Sequence, residues 1–100
     1  QRIIVDDLLI EVDRHQVSLA GESIVFTATE FKLLYQLASN LGKALSREQL
    51  LSRVMRDGVI VVDRNIDVHI RRVRKKLGDY AVRIQTIRGI GYRFVSKAGD

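Results

Sequence analysis

Hydrophobic positions change period twice along the chain. Near the N-terminus they alternate or come in short runs. Ile3, Ile4 and Val5 form one run, and Leu8, Ile10 and Val12 alternate with Leu9, Glu11 and Asp13. Val17 with Leu19, and Ile24 to Phe26, complete four short strands. Asp6-Asp7, Asp13 to Gln16 and Ala20 to Ser23 separate them, and such short connections predict an antiparallel meander over about 1–26. The pattern then turns helical. Thr27-Ala28-Thr29-Glu30 reads as a capping box with Phe26 and Phe31 as its hydrophobic staple. Phe31, Leu34, Leu37, Ala38 and Leu41 give one apolar face, and Asn40 to Gly42 is the predicted stop. Ala44-Leu45 is long enough only for a bridge. Ser46-Arg47-Glu48-Gln49 is a second box, with Leu45 and Leu50 as staple. The second helix is expected from Arg47 to about Met55, burying Leu50, Leu51 and Val54.

A loop over 56–61, unusually apolar after Gly58, leads to the most informative segment. Val62, Ile66, Ile70, Val73 and Leu77 recur at steps of four, four, three and four, the period of one buried helical stripe. Asp63 is the expected N-cap, which places the third helix at about 63–77 with Gly78 at its end. Arg64, Val68, Arg71, Arg72 and Lys75 point away from the stripe. Val82 to Ile87 and Tyr92 to Val95 alternate again around Arg88-Gly89-Ile90-Gly91, which predicts a hairpin over 82–95. The expectation is one α+β domain over 1–100: a four-stranded antiparallel sheet, three helices and a C-terminal β-hairpin. Two helices joined by a loop and followed by a hairpin make a winged helix-turn-helix.

Charge sharpens this picture. The 100 residues carry a net +5. Between Asp63 and Arg93 nine Lys and Arg meet three Asp, giving +6, while the remainder sums to −1. A basic excess confined to the third helix and the hairpin is the footprint of a polyanion partner. The outer helix face offers Arg72 for a bidentate bond to a guanine edge and Val68 for thymine methyls, with Arg64 and Arg71 serving bases or phosphates. Lys75 and Lys76 are expected on the phosphate backbone, as is His69 at the helix flank. Arg47 and the free N–H groups of the second helix could hold a further phosphate. Thr86 could bond another, and Arg88 at the hairpin tip suits a narrow, A·T-rich minor groove. Asp67 and Arg74 share a flank, and Asp67 lies four residues before Arg71, so a structural ion pair orienting the helix is expected here. The competing reading is a protein-interaction module that docks an acidic partner through the same basic face.

Other chemistry is poorly represented. His15 and His69 lack the context of a triad, no carboxylate pair flanks a pocket-forming element, and no metal or cofactor motif is present. The Gly-x-Gly of residues 89–91 precedes a strand and is no dinucleotide fingerprint. There is no Cys, which fits a reducing compartment such as the cytoplasm. No apolar run approaches the ~18 residues needed to span a bilayer, and no signal-peptide pattern opens the chain. The absence of an initiating Met predicts a fragment of something longer.

Four blocks resemble one known family: residues 26–34 (FTATEFKLL), 46–51 (SREQLL), 66–77 (IDVHIRRVRKKL) and 86–94 (TIRGIGYRF). In this order they are similar to the DNA-binding effector domain of bacterial OmpR/PhoB-type response regulators. The resemblance implies a winged helix-turn-helix behind a four-stranded sheet, with the third helix in the major groove and the wing in the adjacent minor groove. By position it implies base contacts from Arg72 and Val68, phosphate contacts from Arg47, His69, Arg74 and Thr86, and a minor-groove contact from Arg88. It also implies a preceding phosphoaspartate receiver domain, a partner histidine kinase, a cytoplasmic location, and tandem binding to direct repeats in duplex DNA. Two features depart from the family. Met55 stands where an aromatic is common near the end of the second helix. The loop over 56–61, which reaches RNA polymerase in some members, is apolar here, so RNA polymerase stands only as a candidate partner.

Overall fold

The computed structural model describes residues 1–99. Strands β1 (Arg2–Val5), β2 (Leu8–Glu11), β3 (Gln16–Leu19) and β4 (Glu22–Ile24) form an antiparallel sheet in chain order. Helices α1 (Ala28–Ser39), α2 (Arg47–Arg56) and α3 (Ile66–Leu77) follow. Strands β6 (Ile84–Ile87) and β7 (Gly91–Phe94) make the hairpin. The expected bridge is the two-residue strand β5 (Leu45–Ser46), which pairs with β7 to give the order β5-β7-β6. The core runs from Leu8 and Ile10 through Leu33, Leu34, Leu37, Leu50, Val54, Ile70 and Val73 to Phe94. Leu33 belongs to it although the expected face of α1 left it out.

Both predicted capping boxes form. Thr27 Oγ1 accepts from Glu30 N–H while Glu30 accepts from Thr27 N–H, and Ser46 and Gln49 repeat the exchange. Each box satisfies two N–H groups that the helix cannot bond internally. Helix α1 ends at Ser39 with Asn40 as its C-cap, and Gly42 in the turn that follows has a φ of 81°.

Two expected boundaries and one expected burial are corrected. Helix α3 starts at Ile66, not near 63, because Asn65 is its N-cap and accepts from Asp67 N–H. Asp63 instead accepts from Asn65 N–H, a local turn one step earlier. Consequently Val62, counted in the buried stripe, is 94% exposed, and the loop from α2 is anchored by buried Val61. The third change is a 3-10 helix over Gly78–Arg83, which delays β6 to Ile84 and leaves Val82 exposed. A 3-10 turn after an α-helix end is a common way to satisfy the last carbonyls. Here it also delivers Tyr80, whose hydroxyl donates to Val5 O at 2.7 Å, and Arg83, paired with Asp6 at 2.7 Å. Those two bonds join the N-terminal sheet to the winged core. Burial and the nearby Asp6 push the Tyr80 phenol up to about 12, so it remains a donor at any ordinary pH.

Glu30 is 1% exposed, an expensive place for a carboxylate unless it is paired. Its Oε1 accepts from Lys76 Nζ of α3 at 2.6 Å as well as from Thr27 N–H. Burial pushes its pKa up, but the Lys76 bond and charge and the Thr27 bonds outweigh this and hold it below 4.5. The sign follows: the charged form stabilises the fold above 4.5, and this is lost as pH falls through the lower folded value. Glu30→Gln should therefore be less stable than the parent near neutrality, with the gap between their urea midpoints closing as pH drops below 4.5. A gap independent of pH would contradict the pairing.

Gly91 pairs with Ser46 in the β5–β7 ladder. A Cβ there would collide with the Leu45 carbonyl oxygen and stand 2.9 Å from Ser46 Cα, both backbone atoms with little room to move. Gly91→Ala should cost at least the ~3 kcal/mol upper end of ordinary overpacking, a fall of roughly 12–24 °C in Tm. Gly89→Ala, which meets only the strain of a φ of 77° in open space, should cost about 1–2 kcal/mol. Thermal unfolding followed by circular dichroism separates the two.

Candidate nucleic-acid interface

One tyrosine organises the cationic side of the domain. Tyr92 on β7 is buried, and the guanidinium carbons of Arg47 and Arg74 lie 5.2 and 5.4 Å from its ring centre, within cation–π range. Its hydroxyl donates to Asp67 Oδ1 in the first turn of α3. The same oxygen accepts from Arg47 Nε at 2.7 Å. Arg74 Nη2 donates to Ile84 O at 2.7 Å and to Thr86 Oγ1 at 2.8 Å, both on β6. The N-terminus of α2, the flank of α3 and the hairpin are thus bonded to one another through four side chains. The bonds from Tyr92 and Arg47 hold the Asp67 carboxyl below its ordinary value. Burial first, and then the bond to Asp67, push the Tyr92 phenol up. The bond to Asp67 pushes the already strongly basic Arg47 higher still.

This arrangement corrects the expected ion pair. Asp67 bonds neither Arg71 nor Arg74; its partner is Arg47, twenty residues earlier. Sequence spacing exposes neighbours on one helix but not a partner on another. Sequence alone does not mark Tyr92 as functional, because an aromatic in a strand reads as core.

The remaining candidates separate into two groups. Arg71, Arg72 and Lys75 are exposed on the outer face of α3, with Val68 half-buried among them. Arg64 is exposed too, but in the loop preceding α3 and not on the helix. Arg88 stands exposed in the β6–β7 turn, closed by the Ile90 N–H to Ile87 O bond. Gly89 takes the positive φ that a tight turn needs at its third residue. Thr86, two residues before Arg88, is exposed while receiving Arg74. Among the described residues, Arg64, Arg71, Arg72, Lys75 and Arg88 have no carboxylate partner.

The second group is turned inward. Lys76, expected on the DNA backbone, is committed to Glu30 and lies over the Phe26 ring at 5.5 Å. His69, expected at the flank facing phosphate, is 7% exposed. Its Nε2 lies 2.6 Å from Asp63 O, and because a carbonyl only accepts, Nε2 is the donor. Nδ1 is buried with no hydrogen-bond partner among the described residues. Steps of three and four on α3 bring position 69 onto the same side as Ile66 and Val73, so its inward turn follows from helical geometry. Among the described residues no three His, Asp or Glu side chains converge as a metal site. No helix is long and apolar enough to cross a membrane.

Comparison with known proteins agrees with this geometry. Residues 21–94 match the family described as "Transcriptional regulatory protein, C terminal". The chain is 41% identical over 97 residues to the phosphate regulon transcriptional regulatory protein PhoB of Pseudomonas aeruginosa, covering 96% of this chain and 42% of that protein. Its identity to the transcriptional regulatory protein CpxR of Escherichia coli is 41% over 95 residues, or 92% and 41% of the two chains. The chain thus spans about two-fifths of the length of these relatives. The crystal structure of the E. coli CpxR DNA-binding domain superposes with a TM-score of 0.80 at 37% identity, covering 96% of this chain and 97% of that one. The Klebsiella pneumoniae RstA DNA-binding domain, solved in complex with the RstA box, gives a TM-score of 0.80 at 37% identity over 95% and 97%. Four-stranded sheet, three helices and hairpin wing are therefore shared, and the chain belongs to the OmpR/PhoB family of response-regulator C-terminal domains, the DNA-binding effector domains of transcriptional regulators.

Proposed function

We propose that this domain reads duplex DNA with α3 in the major groove and the β6–β7 turn in the adjacent minor groove. The observation that carries the reading is the sorting of cations. Arg71, Arg72 and Lys75 on the outer face of α3, Arg64 just before it and Arg88 at the wing tip are all without carboxylate partners among the described residues, and the Arg74–Thr86 bond ties helix to wing. Arg72 is assigned to a guanine edge and Val68 to a thymine methyl, while Arg64 and Arg71 serve bases or phosphates. Arg47, Lys75 and Thr86 take phosphates, and Arg88 enters the minor groove. Arg74 acts first as the strut to β6; only guanidinium nitrogens outside its two bonds are available to a phosphate. Lys76 and His69 drop out, since Lys76 is already paired with Glu30 and His69 is buried and bonded to Asp63 O. The RstA complex with its box supports a DNA target, and so does the response regulator AdeR, 26% identical, solved with an intercistronic region.

For the longer protein, the relatives support a response regulator in which a receiver domain precedes this one. That receiver would be phosphorylated on aspartate by a cognate histidine kinase and would pair effector domains on direct repeats. The loop between α2 and α3 exposes Ile60 and Val62, an apolar surface of the kind that RNA polymerase could engage.

A salt titration against a duplex enriched by this domain from a random pool tests the reading. Affinity should fall steeply, with a log–log slope of about −0.9 per phosphate contacted, and a scrambled duplex should bind far more weakly. Equal binding to both would favour docking of any acidic surface instead. Arg72→Ala should cost roughly 1–3 kcal/mol on the enriched duplex and relax preference at one base pair; equal losses on both duplexes would move Arg72 to the phosphate backbone. Arg88→Ala should weaken binding most where the site is flanked by A·T pairs, and quantitative binding to duplexes differing only in flank composition checks this. Indifference to the flank would remove Arg88 from the minor groove.

A further inference from the structure

Arg47 is half-used. Its Nε is bonded to Asp67 and its plane lies over the Tyr92 ring, yet among the described residues its Nη1 and Nη2 have no hydrogen-bond partner. The pair is not buried: the Arg47 and Asp67 side chains are 44% and 42% exposed. An ion pair this exposed contributes little to stability. Stability is therefore a weak reason to spend the only acidic side chain of α3 on the side of the domain that needs positive charge. Geometry supplies a better one. A guanidinium held along its Nε edge and against an aromatic ring has lost most of its rotamer freedom before any ligand arrives. Its two terminal nitrogens remain as a fork for the oxygens of an anion.

We infer that Asp67 is a positioning residue for phosphate binding: with Tyr92 it pre-orients Arg47 so that the Nη edge meets a DNA phosphate without further ordering. Fixing a long side chain in advance removes its ordering cost from association. The cost of the device is the repulsion between the carboxylate and the approaching phosphate. Directing both bonds to Asp67 onto one oxygen, Oδ1, keeps the acid engaged with its own partners. The inference rests on the assignment of Arg47 to a phosphate.

The test compares Arg47→Ala, Asp67→Asn, Asp67→Ala and the Arg47→Ala/Asp67→Ala double variant of this chain. Each is titrated with salt against the enriched duplex and checked for folding by circular dichroism. Arg47→Ala should lower the salt slope by about one contact's worth, near 0.9. Asp67→Ala should reproduce that loss of slope, together with a several-fold loss of affinity, although it removes a negative charge. The double variant should then be no worse than Arg47→Ala alone, and Asp67→Asn, which keeps an acceptor for Nε, should recover part of the affinity. If Arg47→Ala leaves the slope unchanged, the phosphate assignment fails. If it lowers the slope while Asp67→Ala raises affinity and slope, Asp67 competes with phosphate and the positioning role fails. Losses that add in the double variant also overturn it, since independent effects would then be at work.

Discussion

The two bonds that meet on Asp67 Oδ1 constrain everything around them. One comes from a tyrosine on the wing and the other from the first residue of α2, and the acceptor sits in the first turn of α3. Three elements proposed to meet a duplex are thereby held at fixed relative angles. None of the individual interactions is large. The cation–π contacts are each worth about 0.5–2 kcal/mol, and the exposed ion pair is worth less. Their combined effect is geometric. A recognition surface assembled from a helix face and a hairpin tip works only if the separation between them is already right, because a shift of about 1 Å loses a directed contact.

The other side of α3 is secured by different means. Glu30 caps α1 and at the same time receives Lys76 near the C-terminal end of α3. One buried carboxylate therefore fixes the start of the first helix to the end of the third. The domain uses its acidic residues to decide which cations stay home. Glu30 retains Lys76, Asp6 retains Arg83 and Asp67 retains Arg47 along one edge. Arg74 and Arg93 are bonded to β6, and Arg64, Arg71, Arg72, Lys75 and Arg88 are left facing solvent, so a net +6 between residues 63 and 93 overstates how many charges a ligand would meet.

Much of this was legible in the sequence, for identifiable reasons. Capping boxes are local, so Thr27 to Glu30 and Ser46 to Gln49 located two helix starts to the residue. Alternation and glycine located the first three strands and the hairpin turn, whereas the fourth strand lies at Glu22–Ile24 and not at 24–26, because residues 22 and 23 pair with β3. The third helix start was misplaced because Asp63 and Asn65 are both acceptable caps and Val62 fits the helical period by coincidence. The structure chooses Asn65 because Val61, not Val62, fills the core. His69 and Lys76 were assigned outward because a charged or polar type near a basic face reads as surface. Their inward partners, Asp63 O and Glu30, lie on a loop and on another helix. The junction around Tyr92 joins residues 20 and 25 positions apart, and no periodicity encodes such a contact. Gly91 lies in the hairpin segment, but what requires glycine there is the approach of the β5 backbone, which its position in the sequence does not show.

A partner that needed only negative charge would be served by any scatter of lysines and arginines. The surface here is more particular. Its helix sets a half-buried valine amid arginines, an expensive choice if the only purpose were to attract acid, since an apolar side chain gains nothing from a solvated carboxylate. It gains from a thymine methyl on the floor of a groove about 12 Å wide. The wing makes a similar point. Arg88 stands on a turn whose tightness depends on a left-handed glycine, presenting one guanidinium on a narrow support. That shape suits a slot about 6 Å across better than a broad acidic face. Both features select for a grooved, regularly charged partner, and the arginine strut from α3 to β6 sets the spacing at which helix and wing would meet two neighbouring grooves.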